Sequence, residues 1–297
     1  MKKLSVLAPA KVNLYLNVCA KRADGYHDIE SVMQTVSLFD RLTVIKNDAN
    51  GVKNISLSCR DHKIPSDERN LVYRAALRFF AENGITEYDV SFILEKKIPS
   101  EAGLGGGSSD AAATLLALDR LYETGLSLEA LCAIGAKIGA DVPFCVKKGT
   151  VYTEGIGEIL TSATPMPDCA FLIAKPKGVG ISTAEAYRAI DTLPTNDPAV
   201  SFVSFKEAVA ACDISRITSL LYNKFEAVTP ESVGSAALKA RFLETGALGA
   251  LMSGSGSAVF AIYPNITEAR KAKEALADVA EVFVCTPARR DDTYFEF

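Results

Sequence analysis

Residues 98–118 read "IPSEAGLGGGSSDAAATLLAL". Gly103, Gly105, Gly106 and Gly107 stand ahead of Ser108 and Ser109, and an alanine-leucine run follows. Each glycine loses more conformational freedom on folding than any other residue, so such a cluster marks a turn or a close backbone approach. A glycine turn feeding a helix leaves backbone N–H groups pointing outward, and the helix dipole adds partial positive charge there. Two known phosphate loops fail the test of spacing. A P-loop ends in Gly-Lys-Ser/Thr, and no lysine follows these glycines. The dinucleotide fingerprint G-x-G-x-x-G meets Ser108 when counted from Gly103 and Asp110 when counted from Gly105. Two readings remain: an anion site of another kind, with serine hydroxyls beside it and Lys96 and Lys97 just upstream, and a flexible surface turn before a helix.

Outward from this loop, the first third of the chain reads as strands. Val12, Leu14, Leu16 and Val18 alternate with Asn13, Tyr15 and Asn17, the period of a half-buried strand. Asp24-Gly25 signals a turn. Further strands are expected over 29–39, 42–45, 55–59 and 90–94, with a helix over 68–83 that Gly84 stops. Ser109-Asp110 predicts the N-cap of a helix over 111–123. A second helix is expected over 128–138, and "ADVPFCVKKGT" (140–150) should lead into short strands. A weak boundary at "TSATPMPD" (161–168) divides the chain into 1–162 and 163–297. Beyond it are expected strands over 171–174, 248–252, 258–263 and 282–285, and helices over 183–190, 205–212, 230–245 and 267–277. Strands and helices mix without regular βαβ alternation, which favours an α+β fold.

The bulk properties exclude several classes. With 297 residues there is room for a large core or two ordinary domains. A net charge of -4 argues against nucleic acid as a main partner. No apolar run reaches the length of a membrane span, and the start, "MKKLSVLAPAK", is a poor signal peptide because Pro9 and Lys11 break it. A cytoplasmic protein is expected. Seven cysteines, none close to another, read as buried reduced thiols. Only His27 and His62 are present, so a zinc site is not expected.

The pattern P-x-x-x-G-L-G-x-x-S-S at 99–109 resembles the signature of the galactokinase, homoserine kinase, mevalonate kinase and phosphomevalonate kinase (GHMP) superfamily. "APAKVNLYL" (8–16) is similar to its first motif and "LMSGSGSAVFAIY" (251–263) to its third. "RADGYHDIESVMQTVSLFD" (22–40), "GLGGGSSDAA" (103–112) and "IGADVPFCV" (138–146) resemble the branch that acts on 4-diphosphocytidyl-2-C-methyl-D-erythritol in non-mevalonate isoprenoid synthesis. The resemblance implies a two-domain α+β fold with the active site in the cleft between domains: an N-terminal ATP-binding domain and a C-terminal substrate-side domain. It implies transfer of the ATP γ-phosphoryl group to the 2-hydroxyl of a small substrate with a cytidine diphosphate handle, with Mg²⁺ accompanying ATP.

The same resemblance distributes roles. Asp141 becomes the base that orients the hydroxyl, and Lys11 the cation that keeps it ionised and offsets phosphoryl charge. Read alone, Asp141 would be a cap or turn former and Lys11 a solvent-facing strand charge. Gly103, Leu104, Gly105, Gly106, Gly107, Ser108 and Ser109 become the phosphate loop, with Asn70 and Lys96 lining the nucleotide pocket. Read alone, those two are a helix cap and a solvated charge. Tyr26 and His27 suit a nucleobase, by stacking on its face and bonding its edge. Asn13 lies nearby, Tyr187 closes the other side and Thr183 lines the pocket. Gly254, Ser255 and Gly256 support substrate binding or the ATP side. Ser108 is the one candidate for touching Mg²⁺. Rival readings are a kinase for homoserine, mevalonate or a sugar, a decarboxylase on the same scaffold, and an inactive nucleotide-binding regulator.

Overall fold

In the computed structural model two strands of equal length set the frame, β1 (Lys2–Lys21) and β2 (His27–Lys46), joined by the expected Asp24-Gly25 turn. The structure describes residues 1–61, 63–176, 182–193, 198–276, 280–290 and 294–296; His62 and Ala277 lie outside them. There follow β3 (Lys53–Cys59), α1 (Leu71–Glu82), β4 (Tyr88–Glu95), α2 (Gly106–Tyr122), α3 (Leu128–Ala136), α4 (Val142–Lys147), β5 (Thr150–Glu154) and β6 (Ile159–Ser162). Next come β7 (Ala170–Pro176), α5 (Thr183–Ile190), α6 (Phe202–Ala210), α7 (Ile214–Ser219) and β8 (Tyr222–Asn223). Two 3₁₀ turns (Lys224–Val228 and Glu231–Val233) precede α8 (Ser235–Glu244), β9 (Gly249–Met252), β10 (Val259–Tyr263), α9 (Ile266–Glu274), β11 (Ala280–Cys285) and β12 (Phe295–Glu296).

The strands form two sheets. The larger has the order β12-β1-β2-β4-β3, with β5 and β6 continuing from β2 and the short β8 parallel to β1. The smaller has the order β11-β7-β10-β9, all antiparallel. The fold is α+β, as expected. Two strands of the chain's second half, β8 and β12, return to pair with β1.

The half-buried strand expected over 12–18 is wrong in one respect: Asn13, Tyr15 and Asn17 are as buried as their apolar neighbours. The cause is packing on both faces. The first part of β1 (Leu4, Val6, Ala8) packs with α1 and α2, while its middle (Ala10, Val12, Leu14, Tyr15) meets Phe202, Phe205 and Phe171. Its end (Leu16, Val18) meets the smaller sheet and α5. The two strands expected over 29–45 are one, because β2 stays paired with β1 through register shifts, one of them at Pro9/Ala10.

Two helix assignments also shift. The helix expected from Ala111 begins at Gly106, with Gly105 at the N-cap, so Ser109 and Asp110 lie inside it. Residues 142–147, expected to lead into strands, form α4, which Pro143 starts. All seven cysteines are free, but only Cys145, Cys169 and Cys285 are buried; Cys19, Cys59 and Cys132 are partly exposed and Cys212 is exposed. No helix among the described residues is long and apolar enough to cross a membrane.

Candidate active site

The site is a cleft of about 450 Å³ lined by both glycine turns, Lys11, Asn13, Lys96 and Asp141 from the larger-sheet side, and Thr183, Tyr187 and Phe225 from the other. Its geometry begins at the glycine loop. Gly103 and Gly105 adopt left-handed backbone. A Cβ on Gly103 would lie 1.9 Å from the Ser253 carbonyl oxygen, and one on Gly105 would lie 2.9 Å from Lys11 Cγ. Both positions need glycine for backbone angle and for room. Leu104 buries its side chain in the core and accepts the Lys11 amide at 2.9 Å through its carbonyl. The loop is thereby fastened to β1. No side chain caps α2. The first intrahelical bond runs from Ser109 N–H to the Gly105 carbonyl. The amides of Gly106, Gly107 and Ser108 therefore have no acceptor within the helix, an anion-binding arrangement.

Lys11, read alone as a solvent-facing charge, is buried at 4% exposure. Its ammonium donates to Asn13 Oδ1 at 2.7 Å and lies 3.5 Å from Asp141 Oδ2. Asn13 in turn donates to Ser31 Oγ, and Ser31 to the Tyr15 carbonyl, so two strands fix the lysine. Asp141 is the N-cap residue of α4, yet its side chain makes no capping bond, and its carbonyl accepts from Cys145. The carboxylate is left for the cleft. Beneath it the Cys145 thiol is pushed up by burial, with the Asp141 charge adding to the effect.

Lys96 is not a solvated charge. Its ammonium binds Asp40 and, at 2.6 Å, Asp110 Oδ2. Asp40 also accepts the amides of Lys97 (2.5 Å) and Ile98 (2.9 Å). Burial pulls the Lys96 ammonium down, but the two carboxylates more than offset that and hold it above its ordinary value. Burial drives the Asp110 carboxyl up to about 8 against the pull of Lys96. Asn70 lines the cleft too, but its polar atoms cap α1, accepting from Val72 N–H and donating to the Pro65 carbonyl.

The second glycine turn, 253–256, sits against the first. Ser253 Oγ donates to the Gly103 carbonyl at 2.9 Å, and Ala258 N–H to the Ala102 carbonyl at 3.2 Å. Ser255 Oγ and Thr183 Oγ1 are 3.0 Å apart. Gly254, Ser255 and Gly256 all line the cleft.

The models of two families match this chain: GHMP kinases N terminal domain over residues 70–149 and GHMP kinases C terminal over residues 208–282. A curated relative from Lachnoclostridium phytofermentans, 4-diphosphocytidyl-2-C-methyl-D-erythritol kinase, is 42% identical over 92% of this chain and 92% of its own. One of the same name from Exiguobacterium sibiricum is 43% identical over 94% and 96%. The chain belongs to the GHMP kinases. Within them it stands among the 4-diphosphocytidyl-2-C-methyl-D-erythritol kinases, and it is an ATP-dependent phosphotransferase acting on an alcohol. A crystal structure of 4-(cytidine 5'-diphospho)-2C-methyl-D-erythritol kinase superposes with a TM-score of 0.79 at 34% identity, covering 95% of this chain and 98% of that one. A homoserine kinase from Cytophaga hutchinsonii superposes at 0.77 with 22% identity, covering 100% and 98%, which speaks for the shared fold.

The base-binding residues expected of this GHMP kinase stand differently from the expectation. Tyr26 is 62% exposed at the hairpin tip and does not line the cleft, and neither do His27, Ser108 and Ser109. His27 and Tyr187 do not flank an open slot: their rings stack on each other, 5.3 Å between centroids and 27° between planes. Phe225 meets the Tyr187 ring edge-on at 5.0 Å. Burial, then the Asp141 charge, pushes the Tyr187 hydroxyl up to about 12, so it stays neutral at physiological pH.

Several residues of the site were not legible. Asp40 left a usable signal, an acid inside the apolar strand "SLFDRLTV" (37–44), which only a buried cation or amides could accommodate. Asn223 left none. Its amide donates to the carbonyls of Met252 (2.7 Å) and Gly254 (2.8 Å), and its oxygen accepts from Phe225 N–H. It sets the second turn and the Phe225 ring together. No group of three or more His, Cys, Asp or Glu able to hold a metal occurs among the described residues.

Proposed function

We propose that this GHMP kinase phosphorylates the 2-hydroxyl of 4-diphosphocytidyl-2-C-methyl-D-erythritol with ATP, a step of non-mevalonate isoprenoid synthesis. The observation that carries it is the Lys11–Asp141 pair, 3.5 Å apart in the cleft where the two glycine turns meet. Segments 1–162 and 163–297 supply the two walls as ATP-side and substrate-side domains. ATP phosphates lie on the free amides of Gly106, Gly107 and Ser108, with Gly103, Leu104, Gly105 and Ser109 shaping the loop. Lys96 and Asn70 border the nucleotide, while Asn13, Thr183, Tyr187, Gly254, Ser255 and Gly256 border the acceptor. The cytosine meets His27 at the edge of the cleft, where the His27 ring stacks on Tyr187 of the lining. Tyr26, exposed at the hairpin tip beside it, closes over the base.

The acceptor hydroxyl oxygen attacks the γ-phosphorus, and the bond to the β,γ-bridging oxygen breaks to release ADP. Asp141 orients the hydroxyl and takes its proton late, since phosphoryl transfer depends mainly on positioning and charge. Lys11, 3.5 Å from Asp141, faces the phosphoryl oxygens and offsets their charge. Mg²⁺, when bound with ATP, neutralises charge on its phosphates. The donor set suits an ion held mainly by nucleotide and water. Asp40 and Asp110 are taken up by Lys96. Ser108 Oγ, which has no protein partner among the described residues and sits next to the lining Gly107, is the hydroxyl that would touch the ion.

ADP release with Mg-ATP should be fast with the cytidylated substrate and absent with homoserine and mevalonate. Asp141→Asn should bind both substrates and lose about 10²- to 10⁴-fold in kcat. Turnover of another alcohol in place of the cytidylated one would overturn the substrate reading. Unchanged kcat in Asp141→Asn would overturn the base.

A further inference from the structure

We infer that Asp191 sets the base preference of this site by fixing which nitrogen of His27 carries the proton. The inference rests on the reading of a pyrimidine beside His27. Asp191 follows α5 directly, and its Oδ1 lies 2.7 Å from His27 Nε2, while its Oδ2 lies 2.5 Å from Lys21 Nζ. The hydrogen bonds from Lys21, first, and from His27 hold the Asp191 carboxyl below its ordinary range. An ionised carboxylate only accepts. The hydrogen between the two groups therefore sits on Nε2. In the neutral ring this leaves Nδ1 with a lone pair. Nδ1 has no protein partner among the described residues. The ring cannot turn freely to exchange its nitrogens, because its side chain is 7% exposed and stacks on Tyr187, which Phe225 backs edge-on.

A fixed acceptor discriminates between pyrimidines. Cytosine carries an exocyclic amino group that donates to a lone pair. Uracil carries a carbonyl oxygen at the same position and would set lone pair against lone pair. An unpaired polar contact of this kind is worth about tenfold or more in selectivity. Asp191 thus acts through His27 as a positioning residue and touches neither substrate nor reacting atoms.

The test compares kcat/KM for diphosphocytidyl- and diphosphouridyl-methylerythritol in the wild type, Asp191→Asn and Lys21→Met. An asparagine amide can donate to Nε2 and move the ring proton to Nδ1, as the same exchange does to a protease histidine. Asp191→Asn should cut the cytidine preference at least tenfold with the KM for ATP unchanged. Lys21→Met, which leaves the Asp191–His27 bond, should keep the preference. The ¹⁵N shifts of the ring nitrogens, assigned in a His62→Gln background, should show Nε2–H in the wild type and Nδ1–H in Asp191→Asn. An Nδ1–H wild type, or a switched tautomer with the preference unchanged, overturns the inference. A wild type idle on both substrates overturns the proposed function and the base-selecting role with it. A wild type active on the cytidylated substrate with equal use of the uridylated one overturns the role of Asp191 alone.

Discussion

The two glycine turns of the cleft are alike in composition and opposite in construction. The first, 103–107, runs into a 17-residue helix with an uncapped N-terminus and is surrounded by charge: Lys11 on one side, and Lys96 with Asp40 and Asp110 on the other. The second, 253–256, joins two antiparallel strands and is held by neutral hydrogen bonds from Asn223 and Ser253. A helix start concentrates free amides and dipole, whereas a hairpin offers shape. The difference is one of setting: the first turn opens on free helix amides, while Gly254 of the second and Gly103 opposite it leave the room that lets the two halves of the chain touch. Lys11 joins the two, with its Cγ 2.9 Å from the Cβ that Gly105 lacks and its Nζ 3.4 Å from the one that Gly254 lacks.

Gly103→Ala should break the contact between the turns most severely. Its Cβ would fall on the Ser253 carbonyl oxygen at 1.9 Å, backbone against backbone, in a left-handed conformation. A loss on the order of 3 kcal/mol in unfolding free energy is expected, with kcat/KM down about 10²-fold as the Leu104–Lys11 bond shifts. Gly246→Ala is the control: its φ of +89° is as demanding, but nothing lies within 4 Å, so about 1–2 kcal/mol is expected. Equal losses in the two variants would mean that backbone angle alone requires glycine at 103.

Asn223→Ala should sharpen the contrast with a smaller effect. The carbonyls of Met252, at the end of β9, and of Gly254, in the turn, lose their donor, which costs about 1–3 kcal/mol by urea unfolding. Because this turn is shape, not charge, the KM for the phosphoryl acceptor should rise while the KM for ATP holds. A parallel rise in both would show that the turns act as one anion site.

These contrasts explain what could be read in advance. The glycines of residues 98–118 are legible from local chemistry. The cleft and the roles of Lys11 and Asp141 are legible only through the resemblance of the motifs to a family, since read alone the two are a strand charge and a cap. The start of α2 is misread because Ser109 and Asp110 are good caps, whereas here Asp110 is consumed by Lys96 from the end of β4. The stack of His27 on Tyr187 was unreadable for a like reason: it depends on α5 meeting the β1–β2 hairpin across some 160 residues of chain. Alternation failed along β1 because alternation detects one buried face, and β1 has two.

Asp110 also supplies the smallest test, a slope. Its carboxyl is faced by Lys96 from the end of β4, Asp40 from β2 and Cys145 from α4. Burial raises it to about 8 in the folded protein, against about 3.9 for an unperturbed aspartate. The folded chain then holds a proton there that the unfolded chain releases, so stability falls as pH rises from about 4 to about 8. Asp110→Asn, neutral throughout and still able to accept from Lys96, should flatten that part of the profile and change little at pH 4. The first turn would thus show a pH-dependent component that the second, held by neutral groups, does not. Melting temperature against pH for Asp110→Asn and Asn223→Ala would display it: a shallower slope in the first, and the wild-type slope merely lowered in the second. Parallel profiles in all three proteins would place the proton elsewhere and remove charge as the feature that separates the two turns.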